Sequence, residues 1–160
     1  MTGPQMERTL IIIKPDAVQR NLLGEIVHRF ERKGLKIEGL KMTRLDDQIL
    51  DEHYAHHKDK TFFESLKKSM KSSPVIVAVL SGINAVQACR VIVGPTYGVE
   101  AGAGSIRGDF SMSIQANLVH ASDSKKTADE EIKRFFKSEE LFEYIRIDFE
   151  HVYGEEDRSP

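Results

Sequence analysis

The chain has no tryptophan and only one cysteine among its 160 residues, so no internal disulfide can staple it and its stability must come from a packed core. The lone Cys89 sits in an apolar helical pattern and reads as a core residue, not a nucleophile. A reducing cytoplasm is the expected setting. No apolar run approaches the roughly 18 residues a membrane helix needs. The N-terminus has neither the basic flank nor the apolar core of a secretory signal. An excess of one charge is missing too. The balance is 23 basic against 25 acidic residues, net −2, which excludes a polycation that grips nucleic acid through its overall field. From residue 125 onward there are 11 acidic and 7 basic side chains, so phosphate contacts are expected elsewhere. A GxxxxGK[ST] loop is absent. The glycine-rich run Gly102-Ala103-Gly104-Ser105-Ile106-Arg107-Gly108 neither fits GxGxxG nor follows a strand. With no repeat and no break in composition, the reading is one domain over residues 1–160, with its core at about 7–153 and a solvated tail at 154–160.

What is present reads as alternating strands and helices. Thr9-Leu10-Ile11-Ile12-Ile13 predicts a strand buried on both faces, stopped by Lys14-Pro15-Asp16. Leu22, Leu23, Ile26, Val27 and Phe30 recur at helical spacing, with Asn21 as N-cap and Gly34 as the stop. Leu35, Ile37, Leu40 and Met42 predict a second strand whose phase change at Gly39 marks a bulge. Asp46 and Asp47 open a short helix that puts His53 and Tyr54 on one face. Thr61 and Glu64 fit a capping box for another. Residues 74–80 form a near-continuous apolar run and read as a central strand, and Asn84 caps a helix that Gly94-Pro95 ends. Residues 96–108 lack periodicity and read as a functional loop. Alternation from Phe110 through Leu118 predicts extended structure ending at His120. Ser124 or Asp123 then caps a helix whose apolar face is Ala128, Ile132, Phe135 and Phe136. This order predicts an α+β fold, a ferredoxin-like α/β sandwich with a four-stranded antiparallel sheet, split βαβ connections and flanking helices.

The segment Asn117-Leu118-Val119-His120-Ala121-Ser122-Asp123-Ser124 carries the chemistry. It puts an imidazole at a strand end beside a helix N-terminus, whose dipole favours the neutral ring. Glu131 falls on the inward face of the following helix and needs a donor, which either the imidazole or the Ser122 hydroxyl can supply. A carboxylate on one ring nitrogen leaves the other free to attack phosphorus. The same spacing also fits a buried histidine satisfied by a helix cap. Lys14, Arg90 and Arg107 each stand beside a glycine or proline break. Three such cations suit a phosphate clamp, although any one alone reads as surface charge. His53 and His57, four apart, offer metal spacing, but without an HExxH glutamate a pairing or solvated role is preferred.

Five segments resemble nucleoside diphosphate kinase in order and spacing: Ile13-Lys14-Pro15-Asp16-Ala17-Val18-Gln19-Arg20, Glu52-His53-Tyr54, Phe62-Phe63, Ser105-Ile106-Arg107-Gly108-Asp109-Phe110 and the histidine segment. The resemblance implies a ping-pong transfer of the terminal phosphoryl group from a nucleoside triphosphate to a nucleoside diphosphate through a phosphohistidine at His120. It implies that Glu131 and Ser122 orient that ring, with Tyr54 close to it. Arg90, Thr96 and Arg107 would hold phosphates. Lys14 and Asn117 would contact the ribose 3′ hydroxyl and the moving phosphate, and Phe62 with Ile114 and Leu66 would sandwich the base. Mg²⁺ is expected to arrive mainly on the nucleotide phosphates, with no dedicated protein cage.

A homo-oligomer, a hexamer, is implied as well, with His151-Val152-Tyr153 resembling a tail that packs on a neighbouring subunit. The chain departs from the family at Asn21, where glycine is usual, at Thr61, where proline is common, and in the glycine-rich loop 95–104. One puzzle is geometric, since Asn117 and His120, three apart, would face opposite sides of a regular strand. A ferredoxin-like nucleic-acid module is the competing class, disfavoured by the net charge and the missing aromatic RNA-binding signature. An inactive scaffold is disfavoured because the family's catalytic positions are filled.

Overall fold

The computed structural model describes residues 6–158. Strand β1 (Met6–Ile13) is followed at once by the short helix α1 (Pro15–Gln19) and then by α2 (Leu23–Lys33). The expected break at Lys14-Pro15 is thus a helix start, with Pro15 in the first turn, where its missing N–H costs nothing. Asn21 does not cap α2 through its side chain. It turns the chain between the two helices at φ 57°, a conformation asparagine tolerates, and Leu22 takes the N-cap position. Gly34 ends α2 in the left-handed region at φ 103°, as a glycine after a helix should.

Strand β2 (Lys36–Thr43) carries the expected bulge, a register shift between Ile37 and Gly39. Helix α3 (Asp47–His53) is capped by Asp46, whose carboxylate accepts from the Ile49 N–H at 2.9 Å. The capping box does not form. Helix α4 (Phe63–Lys71) begins with Phe62 at the cap and no side-chain cap bond, because backbone turns (Lys60 N–H to His57, Phe63 N–H to Lys60) already lead into it. Strand β3 (Val75–Ile83) and helix α5 (Ala85–Val93) follow as expected. Asn84 stands at the N-cap with φ 53° and makes no side-chain bond there.

The extended structure expected over residues 110–118 is not there either. The alternation from Phe110 to Leu118 is not a strand: Phe110 ends a helix, α6 (Ile106–Phe110), and the fourth strand, β4, is only Val119–Ala121. Met112 and Ile114 are 82% and 59% exposed, so the alternation had no sheet face to serve. Helix α7 (Lys125–Phe135) is capped by Ser124, which accepts from the Thr127 N–H. Short helices α8 (Phe149–Val152) and α9 (Glu155–Arg158) close the described chain. Residues 155–158 of the expected tail are thus helical and exposed, and residues 1–5 and 159–160 lie outside the described residues.

The sheet is antiparallel with order β2-β3-β1-β4, the order of a ferredoxin-like α/β sandwich. Side-chain alternation splits its core in two. Ile11, Ile13, Ile76, Ala78 and Leu80 pack on α2 and α5. Leu10, Ile12, Val75, Val77 and Val79 pack on α3, α4 and α7. Strands buried on both faces read as continuous apolar runs, which is why β1 and β3 were legible. Cys89 is fully buried, and burial pushes its thiol up to about 12, leaving it inert as a nucleophile.

Candidate active site

Strand β4 converges with α4, α5, α6, α7 and the turns after β1 and α3 on a cleft of about 550 Å³. Every sequence-predicted site residue except Ser122 lines it: Lys14, Tyr54, Phe62, Leu66, Arg90, Thr96, Arg107, Ile114, Asn117, His120 and Glu131. Ser122 is fully buried behind it.

His120 pairs with Ile12 across the sheet, and its Nε2 lies 2.9 and 3.0 Å from the two oxygens of Glu131. The Ser122 hydroxyl donates to the same carboxylate at 2.6 Å. Both candidate donors for Glu131 are therefore used. Burial would raise the Glu131 carboxyl, but its bonds to His120 and Ser122 and the proximity of His53 hold it below the usual range. The ionised carboxylate selects Nε2 as the ring's N–H, leaving the lone pair on Nδ1. Among the described hydrogen bonds none involves His120 Nδ1, and the side chain is 24% exposed.

The geometric puzzle resolves at Leu118. This buried residue has φ 74°, and the Val119 N–H bonds back to the Asn117 carbonyl at 2.9 Å, closing a γ-turn. That conformation is strained and rare for a side chain of this size. It persists because its surroundings clamp it. Asp16 accepts from the Leu118 N–H at 3.0 Å, and the Lys14 N–H donates to the Leu118 carbonyl at 2.8 Å. The reversal brings Asn117 and His120 to the same cleft. Asp16, absent from the sequence-predicted set, thus shapes the site from behind, and its place in the first family-like segment, just after β1, was the available signal.

The cations differ in their freedom. Lys14 is 6% exposed, and its Nζ donates to the Asn117 Oδ1 and to the Gln115 carbonyl. Burial pulls its ammonium down to about 8, an effect Asp16 opposes and Arg107 reinforces. Arg107 donates to three carbonyls, those of Gly94, Asn117 and Val119, at 3.0, 3.1 and 2.6 Å. It therefore braces the loop and β4 as well as facing the cleft. Burial and the neighbouring Arg90 lower it to about 10. Arg90 is exposed and touches the Ala121 carbonyl at 3.5 Å. Thr96 is held through its carbonyl by Asn117 Nδ2.

Phe62 and Ile114, 47% and 59% exposed, stand in the cleft with the buried Leu66. A bond from Gln115 Nε2 to Ser65 Oγ at 3.2 Å ties the loop bearing Ile114 to helix α4. Gln115, His56 and Thr127 also line the cleft and escaped the sequence reading, as do His57, read only for its metal spacing, and Asp123, read only as a cap candidate. Tyr54 is buried, and burial and the Glu131 charge raise its phenol. The metal spacing of His53 and His57 leads nowhere, because His53 turns inward against His120 while His57 packs on Phe62.

Gly98 shows where the glycine-rich loop cannot do without a glycine. A Cβ there would collide with the Ser111 carbonyl oxygen, and Ser111 Oγ bonds to the carbonyls of Ser113 and Ala116, holding the turn that carries Ile114. Gly98→Ala is expected to destabilise the fold by about 1–3 kcal/mol through overpacking and to raise nucleotide KM more than it lowers kcat. Thermal melts and saturation kinetics check this, and an unchanged KM would show that the turn does not support the binding wall.

The geometry has close counterparts. The family model described as nucleoside diphosphate kinase matches residues 7–141. The nucleoside diphosphate kinase of Parabacteroides distasonis is 55% identical over 139 residues, 87% of this chain and 91% of that protein. That of Pyrococcus horikoshii is 50% identical over 145 residues, 89% and 92% of the two chains. The structure of a halophilic nucleoside diphosphate kinase from Halobacterium salinarum in complex with CDP superposes with a TM-score of 0.91 at 41% identity, covering 93% of this chain and 99% of that one. Such identity along most of each relative goes well beyond a shared sheet topology, which unrelated activities can also adopt, and on these grounds the chain belongs to the nucleoside diphosphate kinase family.

Proposed function

We propose that the chain moves the terminal phosphoryl group of a nucleoside triphosphate to a nucleoside diphosphate, with His120 as the relay. The observation that carries this reading is the His120 ring, held on Glu131 by one nitrogen with the other left for the cleft. In the first half-reaction the Nδ1 lone pair attacks the terminal phosphorus. The bond from phosphorus to the bridging oxygen breaks, and the diphosphate leaves with that electron pair. In the second, a terminal oxygen of the acceptor diphosphate attacks the phosphorus, the P–N bond breaks, and neutral imidazole returns. Glu131 stabilises the ring while it carries positive charge.

Lys14, Arg90 and Arg107 gather phosphate oxygens, with Thr96 beside them, and Asn117 and Lys14 meet the ribose 3′ hydroxyl and the transferring group. Phe62, Ile114 and Leu66 take the base by stacking and apolar contact, which accepts any base because every base has a π face. The CDP held by the Halobacterium relative supports a nucleotide in the equivalent cleft. The test is incubation with a triphosphate labelled at its terminal phosphate. Acid-labile label is expected on His120 and should be chased off by unlabelled diphosphate, whereas label that stays put would overturn the relay.

Mg²⁺ fits as a companion of the nucleotide. The described His/acid cluster, His53, His120 and Glu131, is nitrogen-rich and internally paired, unlike the oxygen shell this ion needs. Asp123 is the other carboxylate lining the cleft. The nucleotide phosphates would hold the ion, and it would supply neutralisation of their charge.

Because the Lys14 ammonium titrates near 8, nucleotide affinity is expected to be flat below that pH. Above it, affinity should weaken by about ten-fold per unit, since phosphate binds the charged form. Lys14→Met should bind more weakly and lose this slope, and a slope unchanged in that variant would assign the titration elsewhere.

The whole chain is proposed to act as one domain in a cytoplasmic homohexamer. No helix among the described residues is long and apolar enough to cross a membrane. Apolar side chains await a partner surface at Leu40 and Met42 on β2 and at Phe142, Ile145 and Ile147, the last fully exposed. Tyr153, by contrast, docks on its own chain, its hydroxyl accepting from the Ile83 N–H at 3.1 Å. A sedimentation mass near that of one chain would overturn the hexamer.

A further inference from the structure

His53 sits directly behind His120, and the phosphoryl transfer described above does not use it. Its ring is 5% exposed and makes edge-to-face contacts with Tyr54, His120 and Phe135 at centroid distances of 4.6, 4.6 and 5.3 Å. A nitrogen of each of the two histidines and an oxygen of Glu131 lie within 4.8 Å of one another. Two imidazoles thus stand close enough to compete for one carboxylate, and only one of them reaches the cleft.

Helix α7 decides between them. Arg134 Nη1 lies 3.2 Å from His53 Nδ1. A guanidinium can only donate, so His53 Nδ1 must accept, and the proton of the neutral ring belongs on Nε2. That Nε2 is buried without a hydrogen-bond partner, an arrangement that costs stability and persists only if something else holds the ring. Arg134 is anchored in turn by Glu52 at 3.9 Å. Charging His53 would require a proton on Nδ1 in place of the Arg134 bond.

We propose that Arg134 is a positioning residue for the phosphoryl transfer: by occupying His53 Nδ1 it locks that ring as the neutral Nε2–H tautomer, so that Glu131 is reserved for His120. The proposal rests on the phosphohistidine reading above and adds to it a control on which histidine the carboxylate serves. The groups facing His53 are His120 from β4, Glu131 and Arg134 from α7, and Tyr54 and His56 from the turn after α3. Glu131 alone among them favours a charged ring. Burial first, then His120, Arg134 and His56, prevail over it and push His53 down to about 3. Removing the guanidinium takes away both the bond and one of the opposing charges, and His53 can then draw Glu131 away from His120 as the pH falls.

Two measurements test this. In the intact protein, long-range ¹H–¹⁵N spectra of the histidines should show His53 with Nδ1 unprotonated and Nε2 protonated, unchanged down to mildly acid pH. An Nδ1–H tautomer would overturn the proposal whatever the kinetics. Arg134→Met, whose side chain is partly exposed in the parent (21%), should lower kcat by about ten-fold on the acid side, the scale seen when a partner orienting a functional histidine is lost. Its KM should stay within about two-fold, with the acid limb moved to higher pH. Arg134→Lys, which keeps a donor and a charge, should recover most of the loss. A Met variant with the parent's pH profile and His53 tautomer would overturn the proposal. Failure of the parent protein to take label on His120 would instead refute the underlying relay, while the tautomer measurement would still stand.

Discussion

Replacing His120 with glutamine is expected to abolish diphosphate-stimulated exchange, by about 10⁵-fold or more, because without a nucleophile the two half-reactions have no shared intermediate. The change is nearly silent elsewhere. The glutamine amide can still donate to Glu131, which also keeps its bond from Ser122 at 2.6 Å, so stability should shift by no more than about 1 kcal/mol. The two readings must therefore separate, with a normal melt and normal nucleotide binding but no acid-labile label and no exchange. Residual exchange within about 100-fold of the parent would mean that phosphate passes directly between nucleotides and His120 merely lines the cleft.

Arg107→Lys has the next largest effect, despite conserving charge. The guanidinium spans three carbonyls on two segments at once, a fork that a single ammonium cannot reproduce. Part-buried carbonyls would lose their donors beside the strained Leu118 turn, at a cost of about 2–3 kcal/mol. For a chain of this size that is a fall of roughly 4–12 °C in Tm. Exchange should drop by about 100-fold, through misplacement of Asn117 and His120 together with weakening of the phosphate contact proposed for Arg107. An unchanged Tm with reduced exchange would show that Arg107 serves the substrate alone, and loss of both in parallel supports the double role.

The residues that the sequence made legible share one property: their signal is local. Ser124 caps α7 with its own hydroxyl, Gly34 ends α2, and β1 and β3 announce themselves as unbroken β-branched runs because both faces are covered. The errors are equally specific. Residues 110–118 alternate like a strand, yet Met112 and Ile114 project outward from an irregular segment. Periodicity reports which side chains differ, not whether a sheet is there to receive them. Thr61 and Glu64 spell a capping box that backbone turns pre-empt. Asn21 and Asn84 both look like side-chain caps, but each contributes its tolerance of positive φ instead.

The sequence by itself determined the layers of the sandwich, the candidacy of His120 and Ser122 as donors to Glu131, and the cleft residues that fall in the family-like motifs, since each follows from residue type at short spacing or from ordered motifs. Tertiary structure alone decided how those residues meet. Only the γ-turn at Leu118, clamped by Lys14 and Asp16 about a hundred residues earlier, brings Asn117 and His120 to one side. Only the packing of α3 on α7 sets Arg134 against His53. Contacts between such distant segments depend on how whole elements dock, and no periodicity along the chain encodes them.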